Sequence, residues 1–173
     1  MSSNYSFQIA LGELHDRAVA RYNAGQQSPK GFFNQSELDF LKHHGLSIMD
    51  VFDFVEDFSR GGEPDKATFL LVCSIRRSYF NIIQGRKFSQ RILEEKDLPL
   101  RDDELGGIRW LPRIIAKAKA KLRGEMEPSI MYCCGGDRGF LSQHDIHPAD
   151  FLQLVWHTDG DEQAILDFVK QAW

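Results

Sequence analysis

Residues 40–50 read Phe40-Leu-Lys-His-His-Gly-Leu-Ser-Ile-Met-Asp50, and residues 140–150 read Phe140-Leu-Ser-Gln-His-Asp-Ile-His-Pro-Ala-Asp150. In the first stretch Gly45 ends a short helix, and Ser47 with Asp50 forms a capping box that opens another. In the second, His144 closes a short helix and Pro148 stands at the first position of the next. Both are therefore helix–turn–helix segments. They also keep step with each other, since Phe40, Leu41, His44, Leu46, Asp50 and Val55 each have a counterpart 100 positions later in Phe140, Leu141, His144, Ile146, Asp150 and Val155. The reading is of one helical unit present twice in diverged form.

Helical periodicity extends outward from both stretches. Phe7, Leu11, Leu14, Ala18 and Tyr22 make an apolar stripe ending near Gly25, and Ile108, Leu111, Ile115, Ala118 and Leu122 make its counterpart ending at Gly124. Met49, Phe52, Val55 and Phe58 continue the first unit. Gly61-Gly62 then breaks the helix and Glu63-Pro64 begins the next, whose apolar residues Leu70, Leu71, Ile75, Tyr79, Ile82 and Ile83 mark it as the most buried. Residues 88–96 are expected to add a short helix before Pro99. Ser36 is expected to cap the helix through Leu38 and Leu41, and Asp159 to Glu162 the last one, through Ile165 and Val169. The fold class expected is all-α, a bundle of about seven to nine helices. Its two units are residues 1–96 and 97–173, packed as one body.

With 42% apolar and 27% charged residues the chain is globular rather than disordered. Its best apolar run, Ala67 to Ile75, is broken at once by Arg76-Arg77, so no membrane partner is expected. No secretion signal precedes the first helix, and three cysteines, two of them adjacent, make a poor disulfide framework. A reducing, cytoplasmic setting follows. The net charge of −4 is uneven, because residues 86–124 hold 11 Lys/Arg against 6 Asp/Glu.

That basic middle contains Leu105-Gly106-Gly107-Ile108-Arg109-Trp110-Leu111-Pro112-Arg113, and it is followed by Cys134-Gly135-Gly136-Asp137, Phe140-Leu141 and Phe151 to Val155. Over about residues 97–170 this pattern resembles a bacterial family known as domain of unknown function 5069. The resemblance implies a helical domain and supplies no substrate, cofactor or catalytic residue. The family usually carries Asp where this chain has Ala116, which implies that an activity needing that carboxylate is missing here.

Three constellations could carry chemistry. Vicinal Cys133-Cys134 beside Gly135-Gly136 offers a nucleophilic thiol, with Cys134, Asp137 and His144 as the catalytic candidates and His147 as another base. The bland alternative is that these cysteines are small buried apolar groups. Cys133, Cys134, His144 and His147 could instead ligate a metal, although adjacent cysteines seldom reach one ion together. Arg113, Lys117 and Lys121, four apart on one helix face and preceded by Trp110, could meet an anionic small molecule or an acidic protein, or simply be a solvated cationic face. An acidic chain with pI near 5.8 and no nucleic-acid module argues against nucleic acid. There is no phosphate loop, Gly-x-Ser-x-Gly or His-Glu-x-x-His, and no cofactor is expected. The favoured function is a non-enzymatic helical binding module, with a homodimer among its partner readings; the alternative is a thiol- or metal-dependent enzyme at the Cys133–Asp137 loop.

Overall fold

Phe7, Leu11, Leu14, Ala18 and Tyr22 all lie on the buried face of the first helix, α1 (Phe7–Asn23), which fixes how the N-terminal unit assembles. The computed structural model describes residues 4–171 and divides them by contact into a unit ending at Arg86 and a second beginning at Lys87. The division falls ten residues before the expected 96/97 boundary.

In the first unit α1 is followed by α2 (Gln35–His43), α3 (Met49–Gly61) and α4 (Lys66–Ile82). The stripe of α1 packs on α3 and α4. It meets Val51, Phe52, Phe54 and Val55 of α3, with Phe69, Val72 and Cys73 of α4 completing the core. Phe54 and Phe69 stand 5.5 Å apart between ring centres, and Phe32 meets Phe52 edge-on at 5.0 Å. Each such side chain contributes about 1.5–3 kcal/mol by leaving water. Arg21 of α1 forms a fork on Glu37 of α2 at 2.7 and 2.8 Å. Burial pulls the Glu37 carboxyl up, but Arg21, the Asn34 amide and Arg17 together hold it below the ordinary glutamate range.

Several helix starts differ in detail from the sequence expectation. The cap of α2 is Asn34, not Ser36: its side chain accepts from Glu37 N while Glu37 accepts from Asn34 N. The α4 cap is Asp65, which accepts from Thr68 N. The Ser47–Asp50 box is present, each side chain bonding the other's amide. On α4, Leu71 and Ile82 are exposed, as is Ile83 just past its end, while Arg76 is fully buried. The helix is thus one-sided rather than enclosed, because its neighbours cover only the Phe69–Val72–Ile75–Phe80 side.

The second unit opens without the expected helix at 88–96. Leu93 pairs in parallel with Met126, a single turn of 3-10 helix covers Glu95–Asp97, and Leu93 N donates to Glu125 O. A two-stranded antiparallel hairpin follows, β1 (Glu104–Leu105) and β2 (Ile108–Arg109). Gly106 and Gly107 have φ of 58° and 83°, and two consecutive left-handed residues make the tight turn whose twist suits a hairpin. This is why Ile108 belongs to a strand and not to the helix. After it come α5 (Leu111–Arg123), α6 (Gly135–Gln143), α7 (Pro148–His157) and α8 (Glu162–Gln171), with α5 packed on α7. Leu111, Ile114, Ile115 and Ala118 meet Phe151, Leu152 and Val155 in the core. Asp161 caps α8 by accepting from Ala164 N at 2.8 Å.

The described residues therefore form eight α-helices and one two-stranded sheet, an all-α protein. None of these helices is long and apolar enough to cross a membrane. The turn after α2 and that after α6 share their bonds. Leu46 N donates to Leu41 O at 2.9 Å and Ile146 N to Leu141 O at 3.0 Å, with Gly45 and Asp145 both left-handed between them. Phe40 lies 4.7 Å from the His44 ring, and Phe140 lies 4.7 Å from that of His144.

Candidate functional site

The basic face of α5 turns inward. Arg113, Lys117 and Lys121 do stack along one side of the helix, but they are 8%, 3% and 3% exposed. This corrects the expectation of a cationic strip open to an anionic ligand. Arg113 donates to Pro99 O at 2.8 Å, pairs with Glu95, and lies over the Trp110 ring at 5.8 Å. A buried ammonium is tolerated only with a partner of opposite charge and good geometry. Lys117 has one: its Nζ lies 2.5 Å from Asp137 Oδ2.

Asp137 is the third residue of α6, in the first turn, where the helix dipole favours a carboxylate. It is fully buried and accepts three hydrogen bonds: from Lys117 Nζ, from Trp110 Nε1 at 3.0 Å, and from the Cys133 amide at 2.9 Å. Two of those donors belong to residues in left-handed backbone, Trp110 with φ 71° and Cys133 with φ 73°. For a residue with a side chain, each such conformation costs about 1–2 kcal/mol. The Asp137 carboxylate is what both residues face, so it over-determines their shape. Strain of this kind, held by one buried group, is characteristic of sites where geometry matters.

The consequence is the placement of Cys134. It occupies the N-cap of α6 and is half-buried, with Sγ 3.2 Å from Lys117 Nζ. Its neighbour is different in kind. Cys133 is buried, and that burial pushes its thiol up to about 12, with Asp137 and Cys134 adding to the effect and Arg138 opposing it. Arg138 donates to Cys133 O at 2.7 Å. Cys73 is also buried, donating to Asp50 O at 3.7 Å. Of the three thiols, only Cys134 combines access with a cationic partner.

No family model, curated protein or solved structure matches this chain. The chemistry of the site therefore rests on its geometry.

The histidines expected beside the thiol serve other ends. His147 caps α7, its Nδ1 accepting from Ala149 N at 3.1 Å, and His144 lies against Phe140 at the end of α6. Cys134 Sγ accepts instead from Lys117 Nζ. Among the described residues no three His, Cys, Asp or Glu side chains gather as a metal would require, so Cys133, Cys134, His144 and His147 do not form a ligand set. Trp110, expected to meet a ligand, instead donates its indole N–H to Asp137. What sequence reasoning missed was the pairing of Lys117 with the cysteine loop. The available signal was Ala at 116, 118 and 120, which leaves lysines on a helix with room for neighbours to close over them.

Gly136 is required by this packing. A Cβ there would fall 2.6 Å from Trp110 Cζ2, whereas one at Gly135 would meet nothing nearer than Arg138 at 3.9 Å. The small residues after Cys134 thus let the indole ring close against the first turn of α6.

Proposed function

We propose that the second unit is a thiol-chemistry module in which Cys134 is the nucleophile, Lys117 its hydrogen-bonding cation, and Asp137 the group that orients both. The carrying observation is the contact of Lys117 Nζ with Cys134 Sγ at 3.2 Å, made by a lysine that Asp137 clamps at 2.5 Å. A nucleophile, a partner in hydrogen-bond reach and a third group that orients the partner are the elements of an activated nucleophile. Cys134 attacks a small electrophile. Lys117 donates to sulfur while it is anionic, and the first amides of α6 face charge that develops on the substrate. Such a thiol works in a reducing compartment, which supports a cytoplasmic setting.

Iodoacetamide labelling followed by peptide mass spectrometry tests the reading. In the folded protein Cys134 is labelled first, while Cys73 and Cys133 are labelled only after unfolding. Lys117→Gln, checked for an intact helical spectrum, slows Cys134 labelling by about tenfold or more, the scale of a lost charge-assisted hydrogen bond. Cys134 labelled no faster than Cys133, or equally fast in both proteins, ends the proposal.

A second reading, the interaction module, is supported by a separate feature of the same unit. Phe88, Ile92 and Leu100 in its opening segment are 42%, 64% and 70% exposed. Large apolar side chains left in water are candidates for a contact, here with a second copy of the chain. Sedimentation analysis giving a monomer at all concentrations would count against it; dissociation of a dimer by Ile92→Asp would support it. The matching turns after α2 and α6 support descent of both units from one ancestor.

A further inference from the structure

We infer that Lys117 and Cys134 are a redox cross-linking pair, joined under oxidation through one bridging oxygen between Nζ and Sγ. The inference rests on the reading of Cys134 as the reactive thiol and adds its regulation. Three features carry it. The nitrogen and sulfur are already 3.2 Å apart, so one oxygen atom joins them with a short inward shift of either side chain. Lys117 is held at that spot by Asp137, with side chains 4% and 0% exposed, so the amine cannot swing away into water. Cys134 is only half-buried, so an oxidant reaches sulfur from outside while the nitrogen waits behind it.

The step balances with dioxygen as the oxidant. The S–H bond of Cys134 and N–H bonds of the Lys117 ammonium break, and Sγ–O and O–Nζ bonds form. One oxygen atom becomes the bridge and the other leaves as water. Sulfur and nitrogen each give up two electrons, which together reduce both oxygen atoms. One proton is released, and the Asp137 carboxylate lies in place to receive it on its way to solvent. The bridge occupies the sulfur and so switches the nucleophile off. Thiol reductants reopen it: one thiolate attacks the sulfur and expels the oxygen with the lysine nitrogen as a hydroxylamine, a second thiol resolves the mixed disulfide to free Cys134, and two more reduce the hydroxylamine to the amine and water.

Full-length protein is held in air-equilibrated and in nitrogen-equilibrated buffer, digested with trypsin without reductant, and analysed by mass spectrometry. The expected product links the peptide containing Lys117 to that containing Cys134. It is about 14 Da heavier than their sum, one oxygen gained and two hydrogens lost. It forms only in air, escapes cleavage after Lys117, disappears on reduction, and is absent from Lys117→Arg, which retains a cation beside Asp137. Cys134→Ser gives a second negative control that keeps the lysine ion pair. Oxidation of Cys134 alone to sulfenic or sulfinic acid, a linked species lighter by about two hydrogens, or no linked species in air overturns the inference. Iodoacetamide labelling of the nitrogen-held sample separates the two proposals. Fast labelling without a bridge removes only the switch, and slow labelling removes the nucleophile itself.

Discussion

Asp137 and Trp110 are joined across 27 positions of sequence by an indole N–H to carboxylate bond of 3.0 Å, and the same carboxylate holds Lys117 at 2.5 Å. The N-terminal turn of α6 is thereby tied to both the start and the middle of α5. Everything proposed for Cys134 depends on that one buried acid.

Breaking the ion pair from one side leaves a charge without its partner. Lys117→Met is expected to destabilise the second unit by about 3–5 kcal/mol, and Asp137→Leu by a similar amount. The double variant should recover much of the loss, since an apolar pair removes both desolvation penalties. Urea unfolding followed by tryptophan emission measures this selectively, because Trp110, Trp156 and Trp173 all lie beyond residue 87. A double variant as unstable as the sum of the singles would contradict the account.

Adjacent glycines should respond with opposite signs. Gly136→Ala drives a methyl to 2.6 Å from the Trp110 ring and is expected to cost about 1–3 kcal/mol. Gly135→Ala has free space and helical backbone, and should be neutral or stabilising by up to about 1 kcal/mol. The same urea titration reads both, and equal effects would show that the indole does not sit where described.

Acid should weaken the first unit. Burial lowers His15 and takes His44 down to about 4 from 6.5, with Arg77, His43 and Arg86 contributing at His44. His15 lies between Phe58 and Phe69, and its nearest carboxylate oxygen, on Asp16, is 3.7 Å away. A histidine whose folded pKa is depressed takes up its proton more readily in the unfolded chain, so its stabilisation is complete above 6.5 and is lost as pH falls toward 4. The loss at His44 is roughly 2–3 kcal/mol. Amide hydrogen exchange of α1 and α4 at about pH 7 and about pH 4.5, compared between wild type and His44→Gln, isolates this from carboxylate effects. A pH dependence that His44→Gln leaves unchanged refutes it.

The Asn34 cap offers a local test of the first unit. Asn34→Ala removes the acceptor for Glu37 N and releases Glu37 from half of its box. The expected loss is about 1 kcal/mol, seen as faster exchange of the first α2 amides. Because Glu37 also holds Arg21, faster exchange should extend to the last turn of α1.

Helix by helix, the sequence was sufficient for the all-α class. Periods such as Phe7–Leu11–Leu14–Ala18 and paired residues such as Ser47–Asp50 act within a few positions, and local chemistry of that kind is legible in one dimension. It failed where a local signal was overridden. Gly106-Gly107 turned Ile108 into a strand, and Leu93 chose Glu125 and Met126 as partners over a helix of its own. The site lay further out of reach. Arg113, Lys117 and Lys121 have helical spacing that suits solvent or core equally, and only tertiary packing, with Glu95 and Pro99 on Arg113 and Asp137 on Lys117, decided that they face inward. Cys133 and Cys134 are chemically identical in sequence. One is sealed and the other stands beside an ammonium because the chain turns left-handed at Cys133 to reach Asp137, a choice made by a carboxylate buried among three donors from two separate segments.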